Sequence, residues 1–154
     1  KEELFFEVMY DLTDKEFEAV VVLLSEVTPD VRQTLLDFGK GLLKLLYAPD
    51  VVAARRMMIA ASGRSDLGRR CFERGPKRAQ DHLAAYLSSS MQAGKLRDCD
   101  AHIAAHHLLG LLESEIYEVF MLKVQEKLGK KELELIVTRA VEVFMAGYEK
   151  AFKD

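Results

Sequence analysis

Residues 131–148 read KELELIVTRAVEVFMAGY. Leu133, Ile136, Val137, Ala140, Val143 and Phe144 fall three or four apart and make one face of a helix. Val141, Met145 and Tyr148 widen that face to a second side. The stretch before it behaves alike, with Leu108, Leu109, Leu112, Ile116 and Phe120 in helical register. A helix that is apolar over more than one stripe is buried on more than one side. That burial arises either in a central core helix or in a two-fold, four-helix interface between subunits. The reading adopted is the interface, formed by Leu112, Ile116, Phe120, Val137, Val141, Phe144, Met145 and Tyr148.

Outward from this pair the same period near 3.6 continues, with no convincing alternation. The chain is therefore expected to be all-α, a multi-helix bundle of about seven helices with short connections. The first helix runs from about Lys1 to Ser25, with Leu4, Phe5, Val8, Met9 and Leu12 on one stripe. Thr13 and Glu16 resemble a capping box, but the apolar run from Phe17 to Leu24 carries the helix through. Thr28 as N-cap and Pro29 at the first position start a second helix, which runs to about Tyr47 before Pro49. A third covers Asp50 to Ser62-Gly63, and a short fourth covers Asp66 to Arg74. A fifth runs from Pro76 to Ala93 with Gly94 as its cap. Asp98 or Asp100 opens a sixth, which extends to about Leu128, and the last helix covers Lys131 to about Phe152.

At 154 residues the chain has the size of one domain, and its 49% hydrophobic and 31% charged residues are a globular balance. A net charge of −3 offers no general attraction to nucleic acid, so any DNA-contacting surface lies largely outside these residues. Cys71 and Cys99 have no metal-site or redox spacing and read as free thiols of a reducing compartment. No run reaches the roughly 18 apolar residues of a membrane span, and nothing resembles a cleavable signal. A cytoplasmic location with no membrane partner is expected.

Several segments resemble one family in order along the chain. Lys1-Glu2-Glu3-Leu4-Phe5 looks like the junction that follows the recognition helix of TetR-family repressors. The run Arg55-Arg56-Met57-Met58-Ile59-Ala60-Ala61, then Leu67-Gly68-Arg69-Arg70-Cys71-Phe72-Glu73-Arg74-Gly75-Pro76, resembles the middle of the AefR-like class of TetR C-terminal domains. So do Leu83 to Leu87, Gly94 to Arg97, Ala104 to Leu112, and the ending with Phe144, Gly147 and Tyr148. His106-His107 departs from the Gln-Phe often found there, which makes any pocket more polar.

The resemblance implies that residues 1–154 are a ligand-binding and dimerisation domain. Residues 1–5 are then its junction to a helix-turn-helix DNA-binding head that is absent from this chain. It further implies a homodimer built on the last two helices, a small-molecule pocket among the earlier ones, and a first helix that acts as a lever. The expected function is repression of transcription, with operator DNA released when a hydrophobic or amphipathic effector binds. The alternative is a helical small-molecule carrier with no DNA role. A purely structural dimerisation module with a filled core is a third reading.

The pocket candidates are Phe17, Phe38, Leu42, Met57, Met58, Tyr86, His107, Glu113 and Tyr117, which offer apolar wall, adaptability or one polar contact. Each of them also fits an ordinary packed core. His102 and His106 are four apart on one helix face, but two histidines leave a zinc site short, so no metal site is assigned. His107 facing a pocket with Glu113 is the sharper expectation. Arg55, Arg56, Arg64, Arg69, Arg70, Arg74, Lys77 and Arg78 form a basic stretch. It faces DNA or the head in one reading; in the favoured one it pairs with Glu2, Glu3, Glu7 and Asp11 of the first helix. No nucleophile elbow, phosphate loop or paired-carboxylate motif appears, and Ser88-Ser89-Ser90 has no base beside it. Neither catalysis nor a cofactor is expected.

Overall fold

Helix punctuation in the sequence becomes architecture in a computed structural model, which describes residues 1–151. The described residues form α1 (Glu2–Val21), a 3-10 turn (Val22–Leu24), α2 (Val31–Leu46), α3 (Pro49–Ala61), α4 (Leu67–Arg74) and α5 (Pro76–Gln92). They continue through α6 (Ala101–Glu113), α7 (Tyr117–Met121) and α8 (Lys130–Tyr148), so the all-α class holds. An antiparallel bridge, Leu96 to Glu149, ties the α5–α6 connection to the end of α8.

Local chemistry sets most boundaries. Pro49 and Pro76 open α3 and α5, where a missing N–H costs nothing. Asp100 caps α6 by accepting from the His102 and Ile103 amides at 2.9 and 3.1 Å. Gly94 takes φ +74 after α5, a conformation that favours glycine.

Three boundaries differ from expectation. The cap of α2 is Asp30, whose side chain accepts from Gln33 N at 3.0 Å. Thr28 instead bonds Thr34 through its hydroxyl at 2.6 Å. The expected sixth helix breaks after Glu113 into the short α7 and an irregular stretch to Gly129. Burial of Ile116 and Phe120 pulls the chain inward there, and Lys123 sits at φ 62. The last helix stops at Tyr148, and Phe152 lies outside the described residues.

The main core is built where α5 packs on α6, α6 on α8, and α2 on α8. Leu35, Phe38, Leu83, Leu108, Leu112, Phe120, Val137 and Phe144 fill it. A second, smaller cluster of Phe6, Met58, Ala61 and Leu67 sits between α1, α3 and α4.

The eight residues assigned to a subunit interface all lie inside this single chain. Leu112, Ile116, Phe120, Val137, Val141, Phe144, Met145 and Tyr148 are buried against the chain's own helices. Within the subunit the double apolar face of α8 packs on α2 and α6. The large apolar residues that α6 and α8 leave exposed are Ile103, Leu135 and Val143. Of the α1 stripe, Leu4, Phe5, Val8 and Leu12 are turned outward, Leu4 at 71% and Leu12 at 65% exposed, while the neighbouring Phe6 is buried.

Candidate ligand-binding cavity

The two apolar clusters do not merge, and a cavity of about 250 Å³ lies between them. α1 supplies one wall through Phe6, Met9, Tyr10, Thr13 and Phe17, with Asp14 beside them. α2 and α3 supply Leu42, Leu45, Leu46, Val51, Ala54, Arg55 and Met58. Cys71, Arg74, Pro76, Arg78, Ala79 and Gln80 come from α4 and α5, and Leu109 and Glu113 from α6. Residues of α2, α3, α4, α5 and α6 thus face α1 across one largely apolar space.

At one side of the lining, Arg55 Nη2 donates to Glu113 Oε1 at 2.6 Å and Tyr47 Oη donates to the same oxygen at 2.5 Å. Burial opposes the charge of Arg55, but Glu113 and Tyr47 overcome it and hold its pKa above the usual value. Burial, reinforced by the bond to Glu113, raises the Tyr47 hydroxyl. The Arg55 guanidinium also lies 5.2 Å from the Tyr47 ring centre and 5.7 Å from that of Tyr117.

On the α1 side, the basic stretch closes as a strap of ion pairs. Arg74 meets Glu7 at 2.7 Å, Arg70 meets Glu7 at 3.2 Å and also Glu3, and Arg78 meets Asp14 at 3.1 Å and also Glu18. The same cations cover aromatic faces: Arg74 stands 4.7 Å from the Tyr10 ring centre and Arg78 4.6 Å from that of Phe17. Tyr10 Oη donates to the Cys71 carbonyl at 2.9 Å. A Cβ on Gly75 would come within 2.7 Å of that hydroxyl, so the glycine permits the close approach of α1 to the α4–α5 turn.

Of the nine pocket candidates, the structure brings Phe17, Leu42, Met58 and Glu113 together around the cavity. Phe38 and Tyr86 are instead packed in the main core. Met57 leans on the Phe6 cluster, one residue and so about 100° around α3 from Met58. Tyr117 stacks outside against Arg55. His107 does not share a site with Glu113; its Nδ1 pairs with the Tyr148 hydroxyl. Six residues along a helix turn the chain about 120° away, which separates the two. His102 Nε2 is 4.0 Å from Asp81, and among the described residues no three metal-ligating side chains converge. Sequence reasoning missed Arg55 as a lining residue. The signal was available, because Val51, Arg55 and Met58 are spaced i, i+4, i+7 on one face.

Residues 33–150 match the AefR-like transcriptional repressor C-terminal domain. Among solved structures, a TetR-family transcriptional regulator from Mesorhizobium loti superposes with a TM-score of 0.85 at 29% identity, over 97% of this chain and 75% of that one. The flavonoid-responsive regulator FrrA has the same fold, with a TM-score of 0.70 at 22% identity over 93% of this chain and 80% of that one. A TetR-family transcriptional regulator from Pseudomonas syringae follows with 0.64 at 20%, over 91% and 73%. No curated protein matches the sequence. The chain belongs to the TetR family of transcriptional regulators, as a C-terminal domain of the AefR-like class. No helix among the described residues is long and apolar enough to cross a membrane.

Proposed function

We propose that this domain binds a small hydrophobic or amphipathic effector in the cavity and that the occupied form releases operator DNA. The observation that carries the reading is that α1 forms one wall of the cavity. In this account the helix-turn-helix head joins at the start of α1, so an occupant that shifts α1 re-aims the head. A ligand favouring the wrongly spaced state weakens DNA binding by its differential affinity, typically about 1–3 kcal/mol. The role is regulatory rather than catalytic, and it is exercised in the cytoplasm.

The working unit is a homodimer. Its contact face is formed by the outward sides of α6 and α8, with Ile103, Gly110, Leu135 and Val143 exposed there. A dimer that reads a palindrome holds its recognition helices about 34–36 Å apart, one turn of DNA.

Met58→Trp tests the cavity. The indole fills the space next to Phe6, so the variant keeps the dimer and loses stabilisation by naphthalene-sized aromatics, read as the ligand-dependent rise in Tm. A monomeric variant would assign Met58 to structural packing. A wild-type protein that no aromatic stabilises would favour a filled dimerisation module.

A further inference from the structure

Glu113, one of the polar residues lining the cavity, keeps one carboxylate oxygen without a protein donor among the described residues. Glu113 Oε1 takes two donors, Arg55 Nη2 and Tyr47 Oη, and among the described residues Oε2 takes none. The Arg55 guanidinium that binds Oε1 is itself flanked by the Tyr47 and Tyr117 rings. The other carboxylate in the lining, Asp14, is 56% exposed and stays solvated, whereas Glu113 is 26% exposed. Gln80, half-buried on α5, also has no side-chain partner among the described residues.

Displacing water from an apolar space leaves a polar atom inside it unsatisfied unless the ligand replaces the lost bond. A site of this kind rejects analogues that lack the matching group far more strongly than it rejects a change in apolar bulk. What Glu113 Oε2 requires is a donor.

The charges around the cavity select which donor. Each guanidinium of the lining is already paired with a carboxylate, Arg55 with Glu113, Arg74 with Glu7 and Arg78 with Asp14, so none of the three cations of the wall is unmatched. A cationic ligand would bring a further charge into an apolar space where the Glu113 carboxylate is already matched by Arg55. An anionic ligand has to break an ion pair, because all three guanidiniums are already bonded to carboxylates. A neutral hydroxyl avoids both costs. An apolar cavity of about 150 Å³ admits benzene; this one, at about 250 Å³, suits a fused pair of rings.

We propose that Glu113 reads a phenolic hydroxyl: the effector is a neutral aromatic of about two rings whose O–H donates to Glu113 Oε2. The inference rests on the cavity being the effector site, as argued under Proposed function.

The test is calorimetric titration of the intact protein, wild type, Glu113→Gln and Met58→Trp, with 2-naphthol, 2-methoxynaphthalene and 1-naphthylmethylamine. Wild type should bind 2-naphthol about tenfold or more tightly than the methoxy analogue, the factor expected for a hydrogen bond to a charged group. In Glu113→Gln the amide oxygen stays with Arg55 and Tyr47 and the NH2 turns to the cavity, so the preference disappears or reverses. Equal binding of the naphthol and methoxy probes to wild type overturns the proposal, as does tightest binding of the ammonium probe. An unchanged preference in a folded Glu113→Gln does the same. If both neutral probes bind wild type equally and Met58→Trp expels them, the cavity reading survives and only the phenol reading falls. If no probe binds wild type, both fall. The wild-type comparison decides even if Glu113→Gln does not fold.

Discussion

Gly39 and Gly110 both interrupt helix interiors, and the structure gives them opposite roles. A Cβ on Gly39 would come within 2.9 Å of both Leu112 Cδ2 and Val137 Cγ1, so α2 reaches α6 and α8 only without a side chain there. Gly39→Ala gains about 1 kcal/mol of helix propensity but overpacks the core by about 1–3 kcal/mol. Net destabilisation is therefore expected, read as a lower urea midpoint. Around Gly110 a Cβ would meet nothing within 4 Å. Gly110→Ala should stabilise the isolated subunit by up to about 1 kcal/mol. If α6 faces a second copy, the same change weakens the dimer in sedimentation equilibrium, and unchanged dimerisation would place the contact elsewhere. At this scale the sequence was partly legible. Phe17, Leu42, Met58 and Glu113 could be picked out as wall residues, but Arg55 was read as part of a surface patch because its charge outweighed its register.

At the scale of elements, the strap between α1 and the α4–α5 arm is electrostatic on its outer side and aromatic beneath. The hydrogen bond from Arg74, with the charges of Arg74 and Arg70, holds the Glu7 carboxyl below its usual value of 4.5. A carboxyl with a lowered folded-state pKa contributes stability that is complete above its unfolded value and is lost as pH falls through the folded one. Glu7→Gln should therefore lower Tm at pH 7, with the gap to wild type narrowing as pH falls below 4.5. A Tm gap that does not narrow with falling pH would assign the effect to packing rather than charge. Exposed pairs of this kind are also screened by salt, so hydrogen exchange in α1 should rise between low and high ionic strength. Pairing of the basic stretch with α1 was legible, although Asp14 and Glu18 take the place expected for Asp11. The helix boundaries marked by Pro49, Pro76, Gly94 and Asp100 were legible too, whereas Pro29 did not open α2. The break after Glu113 was not: no proline or glycine lies between Gly110 and Gly129, and the turn is forced by tertiary burial of Ile116 and Phe120.

At the scale of the whole molecule, periodicity tells which side of a helix is apolar but not what covers it. The double face of α8 was therefore assigned to a second subunit, while α2 and α6 cover it within the first. A gap between two cores is less visible still, because a residue that lines a cavity and one that fills a core have the same chemistry. Phe38 and Tyr86 ended in the core on that account, and Phe17 and Met58 at the cavity. The fold and family, by contrast, were carried by the order of helices and short segments along the chain.

The central claim is that occupancy of the space beneath α1 controls DNA binding. Native mass spectrometry of the gene-encoded protein with a fragment of its own promoter tests it, with and without 2-naphthol, in wild type and in Met58→Trp. The account predicts a dimer on DNA that 2-naphthol releases in wild type, and a Met58→Trp dimer that stays bound. A protein that forms no DNA complex, or a Met58→Trp dimer released as readily as wild type, would contradict it.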